Sequence, residues 1–246
     1  MKNQYFADTR DLFKYDLALS LLRKGGSSSL TLIPMLTPNT KSTHGSKILY
    51  KGNHVGIQNR VLAGFLMNCL HEDKRNIVEL SGFFRTAGSG CRVFNVYAGN
   101  TYFSNAKRKS YFEGIPDSML DGAVVLLDPD IGIEPLNSHK PSDGHVTYGE
   151  ICGIYSRMND NSVLMIFQYI PRVKRKRYFK SMKAALNRNI STNFPVYLVS
   201  DNQVVFFILS KSILISEHVR AVTTEYCKRY GLEPYGQRLR YENKGR

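Results

Sequence analysis

Ala123-Val124-Val125-Leu126-Leu127 is apolar at every position and stops abruptly at Asp128-Pro129-Asp130. Val163 to Phe167 has the same character. Uninterrupted aliphatic runs of this length predict strands buried on both faces, as in the middle of a parallel sheet. Leu30 to Thr37 predicts a further strand, with Pro34 near its end. Apolar residues at helical spacing between Asp11 and Leu22, closed by Gly25 and Gly26, predict a first helix. A second is predicted from His54 to Leu70, with Val55, Leu62, Phe65, Leu66 and Cys69 on one face. More helices are expected near Tyr148–Met158, from about Tyr178 to Leu186, and over about Ser216–Tyr230. Asn76–Leu80 and Arg92–Tyr97 read as strands joined by a flexible connection holding Gly82, Gly88 and Gly90. Pro195–Val199 and Val204–Leu209 flank the short polar joint Ser200–Gln203, an antiparallel hairpin signal. The polar stretch 38–53 reads as a loop. Strands alternating with helices predict one α/β domain over 1–246. Its sheet is doubly wound and mostly parallel, with a C-terminal antiparallel hairpin and a basic tail from about residue 233.

Charge changes this picture. The chain has 34 Lys and Arg against 20 Asp and Glu, a net charge of +14. A surface so basic favours polyanions, nucleic acid first, although it also serves solubility alone. The four cysteines are scattered without a CxxC pair, which argues against a zinc ribbon and for free thiols. No apolar run approaches the ~18 residues that span a bilayer, and Met1-Lys2-Asn3-Gln4-Tyr5 lacks the apolar core of a signal peptide. A cytoplasmic protein without a membrane partner is expected, with a partner protein or self-association left open.

In open α/β sheets ligands bind outside the carboxyl ends of the strands, where Asp128 and Asp130 fall. Asp128, Asp130 and Glu134 in one short loop suit Mg²⁺, which takes hard oxygen ligands and activates water against a phosphodiester. The plainer alternative is a cap and solvated acids. Arg172, Lys174, Arg175, Lys176 and Arg177, flanked by Tyr169, Tyr178 and Phe179, suit phosphates and bases, and Lys107 and Arg108 extend the track. The plainer alternative there is a solvated basic face. His139 and His145 follow the acidic loop as candidate general bases. There is no P-loop and no G-x-S-x-G elbow.

Tyr5-Phe6-Ala7-Asp8 and Asp11-Leu12-Phe13-Lys14-Tyr15 resemble the N-terminal helix of bacterial large-subunit rRNA adenine methyltransferases, which carry Asp-x-x-Lys-His there. Tyr111-Phe112-Glu113-Gly114, with Val125-Leu126-Leu127-Asp128-Pro129, is similar to the approach to that family's Asp-Pro-Pro-Tyr motif. Phe167-Gln168-Tyr169-Ile170-Pro171 resembles its Trp-Tyr-Pro element. The resemblance runs loosely over residues 5–210 and places the chain with the class I methyltransferase fold. It implies S-adenosylmethionine as cofactor and a target adenine amine held by Asp128 and Pro129. Lys14, Thr37 and Asn39 would then lie at the cofactor pocket. Two positions depart from the pattern. Asp130-Ile131 replaces the second proline and the aromatic residue, and Met35-Leu36-Thr37-Pro38-Asn39 has no glycine. A catalytically silent nucleic-acid-binding subunit is the remaining reading.

Overall fold

The doubly apolar runs are central strands. The structure, a computed structural model, describes residues 1–24, 29–41, 54–86, 90–94, 102–136 and 142–233. Six strands form the main sheet: β1 (Ser29–Pro34), β2 (Gly90–Val93), β3 (Ala123–Asp128), β6 (Val163–Tyr169), β7 (Tyr197–Ser200) and β8 (Val204–Ser210). Their order is β2-β1-β3-β6-β8-β7. β2, β1, β3 and β6 are mutually parallel. β8 runs antiparallel to both β6 and β7, so the expected hairpin is present with its second strand inserted inside the first. A two-stranded ribbon pairs β4 (Gly132–Ile133) with β5 (His145–Val146) just beyond β3.

Period two along the strands divides the core. Val124 and Leu126 face one layer, with Phe13, Leu17, Leu66, Phe84 and Tyr226. That layer holds α1 (Thr9–Lys24), α2 (Arg60–His71), α3 (Glu79–Thr86) and α7 (Ile213–Tyr230). Ala123, Val125 and Leu127 face the other, with Tyr111, Ile154, Phe179 and Leu186, from α4 (Arg108–Glu113), α5 (Tyr148–Arg157) and α6 (Arg175–Ile190). Helices on both faces of a mostly parallel sheet, with one reversed strand toward the C-terminal side, are the doubly wound, methyltransferase-like arrangement expected.

Some boundaries differ from expectation. Asn76–Leu80 is a turn running into α3 rather than a strand. Ile77, Leu80, Phe83 and Phe84 are all buried, a spacing of three and four that is helical, and Gly82 rides on the solvent side where a Cβ meets nothing. The second helix starts at Arg60, where the Asn59 side chain accepts from Leu62 N. α6 starts at Arg175, so much of the basic run lies in its first turn instead of in a preceding loop. The tail beyond 233 and most of the polar stretch 38–53 lie outside the described residues. Among the described residues no helix is long and apolar enough to cross a membrane.

Candidate functional site: the mouth between β1 and β3

From β1 the chain passes through α2 and α3 to β2 on one side, then returns through α4 to β3 on the other. The strand order therefore reverses between β1 and β3, and the carboxyl ends of that pair are where such sheets take ligands. Pro34 and Asp128 stand opposite each other in register at this edge.

The alternation that buries Val124 and Leu126 against α1 carries Asp128 to the same face. On α1, Asp11 and Lys14 are one turn apart and point back at it. Lys14 Nζ donates to Asp128 Oδ2 at 2.8 Å and to Asp11 Oδ1 at 2.9 Å. It lies 4.9 Å from the Phe167 ring centroid and 5.6 Å from that of Tyr15. The three charged side chains are at most 5% exposed. Asp11 also accepts from Ala7 N, and Asp8 accepts from the backbone of Arg10 and Asp11. Burial opposes the Lys14 charge, but Asp11 and Asp128 outweigh it and raise its pKa above the ordinary lysine value. Burial, with Asp8 and Asp128 adding and Lys14 opposing, pushes the Asp11 carboxyl up to about 7. Both shifts follow from one imbalance, two carboxylates sharing one ammonium, and a proton on Asp11 relieves it.

Asp130 does not join this triad. The chain bends there, and its carboxylate meets Lys2 Nζ and, at 3.2 Å, the Thr37 hydroxyl. Burial favours its neutral form, but the Met1 amino group, Lys2 and Thr37 win and lower its pKa. Glu134 turns away again and accepts from Tyr148 N at the start of α5, at 2.9 Å. The three carboxylates expected to share Mg²⁺ thus serve three separate partners. Among the described residues no group of three or more His, Cys, Asp or Glu side chains is gathered for a metal. The nuclease reading that rested on that cluster is corrected accordingly.

Gly132 fixes how the chain leaves the mouth. Its φ of +145° is open to glycine, and a Cβ would collide with the Gln168 side chain. Buried Gln168 accepts from Ile133 N at 2.6 Å and ties the loop after β3 to β6.

The proposed cofactor residues are near the mouth and already engaged. Thr37 N donates to Met1 O at 2.8 Å, and the Met1 nitrogen donates to Met35 O at 2.9 Å. Asn39 Oδ1 accepts from Gln4 N at 3.1 Å. S-adenosylmethionine, implied by the resemblance, needs polar partners and close backbone approach at this edge. With those groups taken by Met1–Gln4 and no glycine at 35–39, the residues as arranged do not fit it. Pro129 is buried behind Asp128.

The basic residues divide. Arg108 is held inside the protein: it meets both Glu150 oxygens at 2.7 and 2.8 Å, the carbonyls of Ser142 and His145, and the Phe103 ring. Glu150 is also the capping-box acid of α5, paired with Thr147, a Thr-x-x-Glu signal visible in the sequence. Arg175 donates to Asn202 Oδ1 at 2.9 Å. Arg172, Lys174, Lys176, Arg177 and Lys107 are exposed. The aromatic neighbours of the run are not: Phe179 is buried, Tyr178 is half-buried, and Tyr169 is half-buried beneath Arg10, 5.3 Å from its centroid. His145 Nδ1 and Ser142 Oγ share a hydrogen bond at 2.6 Å, and burial lowers the His145 pKa. His139 lies outside the described residues. Lys2, Gln4, Arg10 and Gln168 carry no sequence signal of their own; only their contacts reveal them.

No protein-family model matches the chain, and no curated protein matches it. Among solved structures it is similar to human methyltransferase-like protein 13 in complex with SAH, at 13% identity over 92% of this chain and 94% of that one, with a TM-score of 0.37. An overlap so loose leaves the site to be read from its own geometry.

Proposed function

We propose that the chain binds nucleic acid along the carboxyl edge of its methyltransferase-like sheet, with Arg172, Lys174, Lys176 and Arg177 on the phosphates. One observation carries this reading. Between Asp160 and Asp201 the sequence holds eight Lys and Arg residues and no acid. The four named are exposed, without an ion-pair partner among the described residues. The first turn of α6 has no acid either. Cations there oppose the helix dipole at about 0.3–1 kcal/mol each. That arrangement is unfavourable in the free protein and is relieved by an anion. The test is a fluorescence-anisotropy titration of a labelled oligonucleotide across a salt series. On duplex DNA each phosphate contact contributes about −0.9 to the log–log salt slope, so replacing all four residues by alanine should remove about 3.6. An unchanged slope overturns the reading.

A second reading, adenine amino-methylation, is favoured by Asp128-Pro129 ending β3 at the reversal of strand order. It requires Met1–Gln4 to leave the mouth, and calorimetric titration with S-adenosylmethionine tests it.

A further inference from the structure

Asp8, Asp11, Asp16 and Asp128 are the buried aspartates among the described residues. Asp8 pairs with Arg10, and Asp11 and Asp128 share Lys14. Asp16, only 3% exposed, has no ion pair among the described residues. Its donors are all neutral. Asn59 Nδ2 reaches Oδ1 at 2.9 Å, and the Tyr226 and Tyr230 hydroxyls reach Oδ2 at 2.9 and 2.8 Å. Burial, with Asp16 adding to it, raises both phenol pKa values, so the hydroxyls keep their protons. A carboxylate accepts about four hydrogen bonds, which leaves Oδ1 open to one more donor. A buried carboxylate that lacks a counter-charge is costly.

The same carboxylate borders a cavity of about 310 Å³ between α1, the start of α2 and the end of α7. A single water or metal ion needs far less, and small-molecule sites begin at about this size. Leu19 and Val222 give the cavity apolar walls. The Tyr226 and Tyr230 rings, 4.8 Å apart, also line it and attract cations to their faces. Arg229, the cation in the lining, donates to Glu225 Oε1 at 3.0 Å, and both of those side chains are far more exposed than Asp16.

We propose that this cavity is a binding site for a small organic cation, a primary ammonium on a short apolar body. One N–H goes to the open position on Asp16 Oδ1, and the carbons rest against Leu19, Val222 and the tyrosine rings. A quaternary cation has no N–H for that position, and a bare metal ion leaves the apolar walls unused.

The experiment titrates butylammonium chloride into the full chain by calorimetry, with 1-butanol and potassium chloride in parallel. Butylammonium should saturate one site per chain and shift the ring signals of Tyr226 and Tyr230 in NMR spectra. Butanol, the same body without the charge, should bind about ten-fold more weakly or worse, and potassium should not compete. Asp16→Asn keeps an acceptor for the tyrosines but removes the charge, and should weaken butylammonium to the level of butanol. Ser20→Phe fills the cavity from α1 without touching the carboxylate or its donors, and should also lose the ligand. Four results overturn the proposal: no binding of butylammonium to the parent chain, equal binding of butanol, displacement by potassium, or binding that leaves the two tyrosine rings unmoved. The ring shifts and the butanol comparison are read on the parent chain, so they decide the matter even where a variant fails to fold.

Discussion

Lys14→Met tests the central triad most directly. Methionine keeps most of the length of the side chain between Phe167 and Tyr15 but removes the charge. Asp128 is then a carboxylate 2% exposed that has lost the ammonium bonded to it, and Asp11 loses its partner at 2.9 Å. Removing one member of a buried ion pair costs about 3–5 kcal/mol. Losing Lys14 raises the Asp11 pKa further, so Asp11 takes up a proton more easily and Asp128 bears most of that cost. For a chain of 246 residues, an unfolding entropy of roughly 2.1 cal/mol/K per residue converts the loss to about 6–10 °C in Tm. Denaturant unfolding at pH 8 and pH 5, with calorimetry, measures it. The deficit should shrink at pH 5, below the raised Asp11 pKa, where that carboxyl holds its proton. Lys14→Met with Asp128→Asn should recover most of the loss, because both charges leave together. A loss under about 1 kcal/mol at pH 8 refutes the reasoning, as does a double variant no better than the single one.

Other expectations follow from individual contacts. The raised Asp11 pKa makes its protonated form the one that favours folding. Its contribution is complete below the ordinary carboxylate range and is lost as pH rises toward about 7. Asp11→Asn should therefore flatten the pH dependence of stability between about pH 4 and 7, as followed by urea midpoints. Asp16→Ala leaves Asn59, Tyr226 and Tyr230 without the acceptor they share, at about 3 kcal/mol by denaturant unfolding. Gly132→Ala forces a Cβ into Gln168 at a backbone angle glycine alone tolerates, and should cost about 1–3 kcal/mol. Arg108→Ala should lower stability but leave the salt slope of nucleic-acid binding unchanged, because its guanidinium is spent on Glu150.

The parts of the fold legible in the sequence are those where one face or both must be apolar. β3 and β6 carry no polar residue over their central positions, and nothing but a doubly covered strand satisfies that. The hairpin of β7 and β8 is legible from its polar joint, though not the insertion of β8 beside β6. α3 is illegible as a helix because Gly82 reads as a break, and only burial of Phe83 and Phe84 shows which face it presents. At the site, the candidacy of Asp128 is local, written in the sudden end of an apolar run. Its contact with Lys14 spans 114 positions; the family resemblance puts both residues near one site, but no periodicity or spacing in either segment announces their ion pair. The expectation that Asp128 and Asp130 share one metal ion fails because the chain bends at Asp130. Met1–Gln4 has no periodicity at all, so its place at the mouth is visible only in three dimensions.

Asp16 has a consequence for synthesis. It sits on the first long helix, yet two of its three donors, Tyr226 and Tyr230, belong to the last. A nascent chain leaving the ribosome thus carries α1 with a buried-type carboxylate still wet and one side of its apolar stripe uncovered. Only after α7 emerges can the first helix reach its final place. β8, which must slip between β6 and β7, is made just before it. Domains whose contacts join distant parts of the sequence fold slowly, and partly made chains with uncovered strands are prone to aggregate. Translation pauses or nonsense mutations shortly before codon 226 should therefore be far more damaging to this protein than equal truncation of a chain whose helices pair with their neighbours.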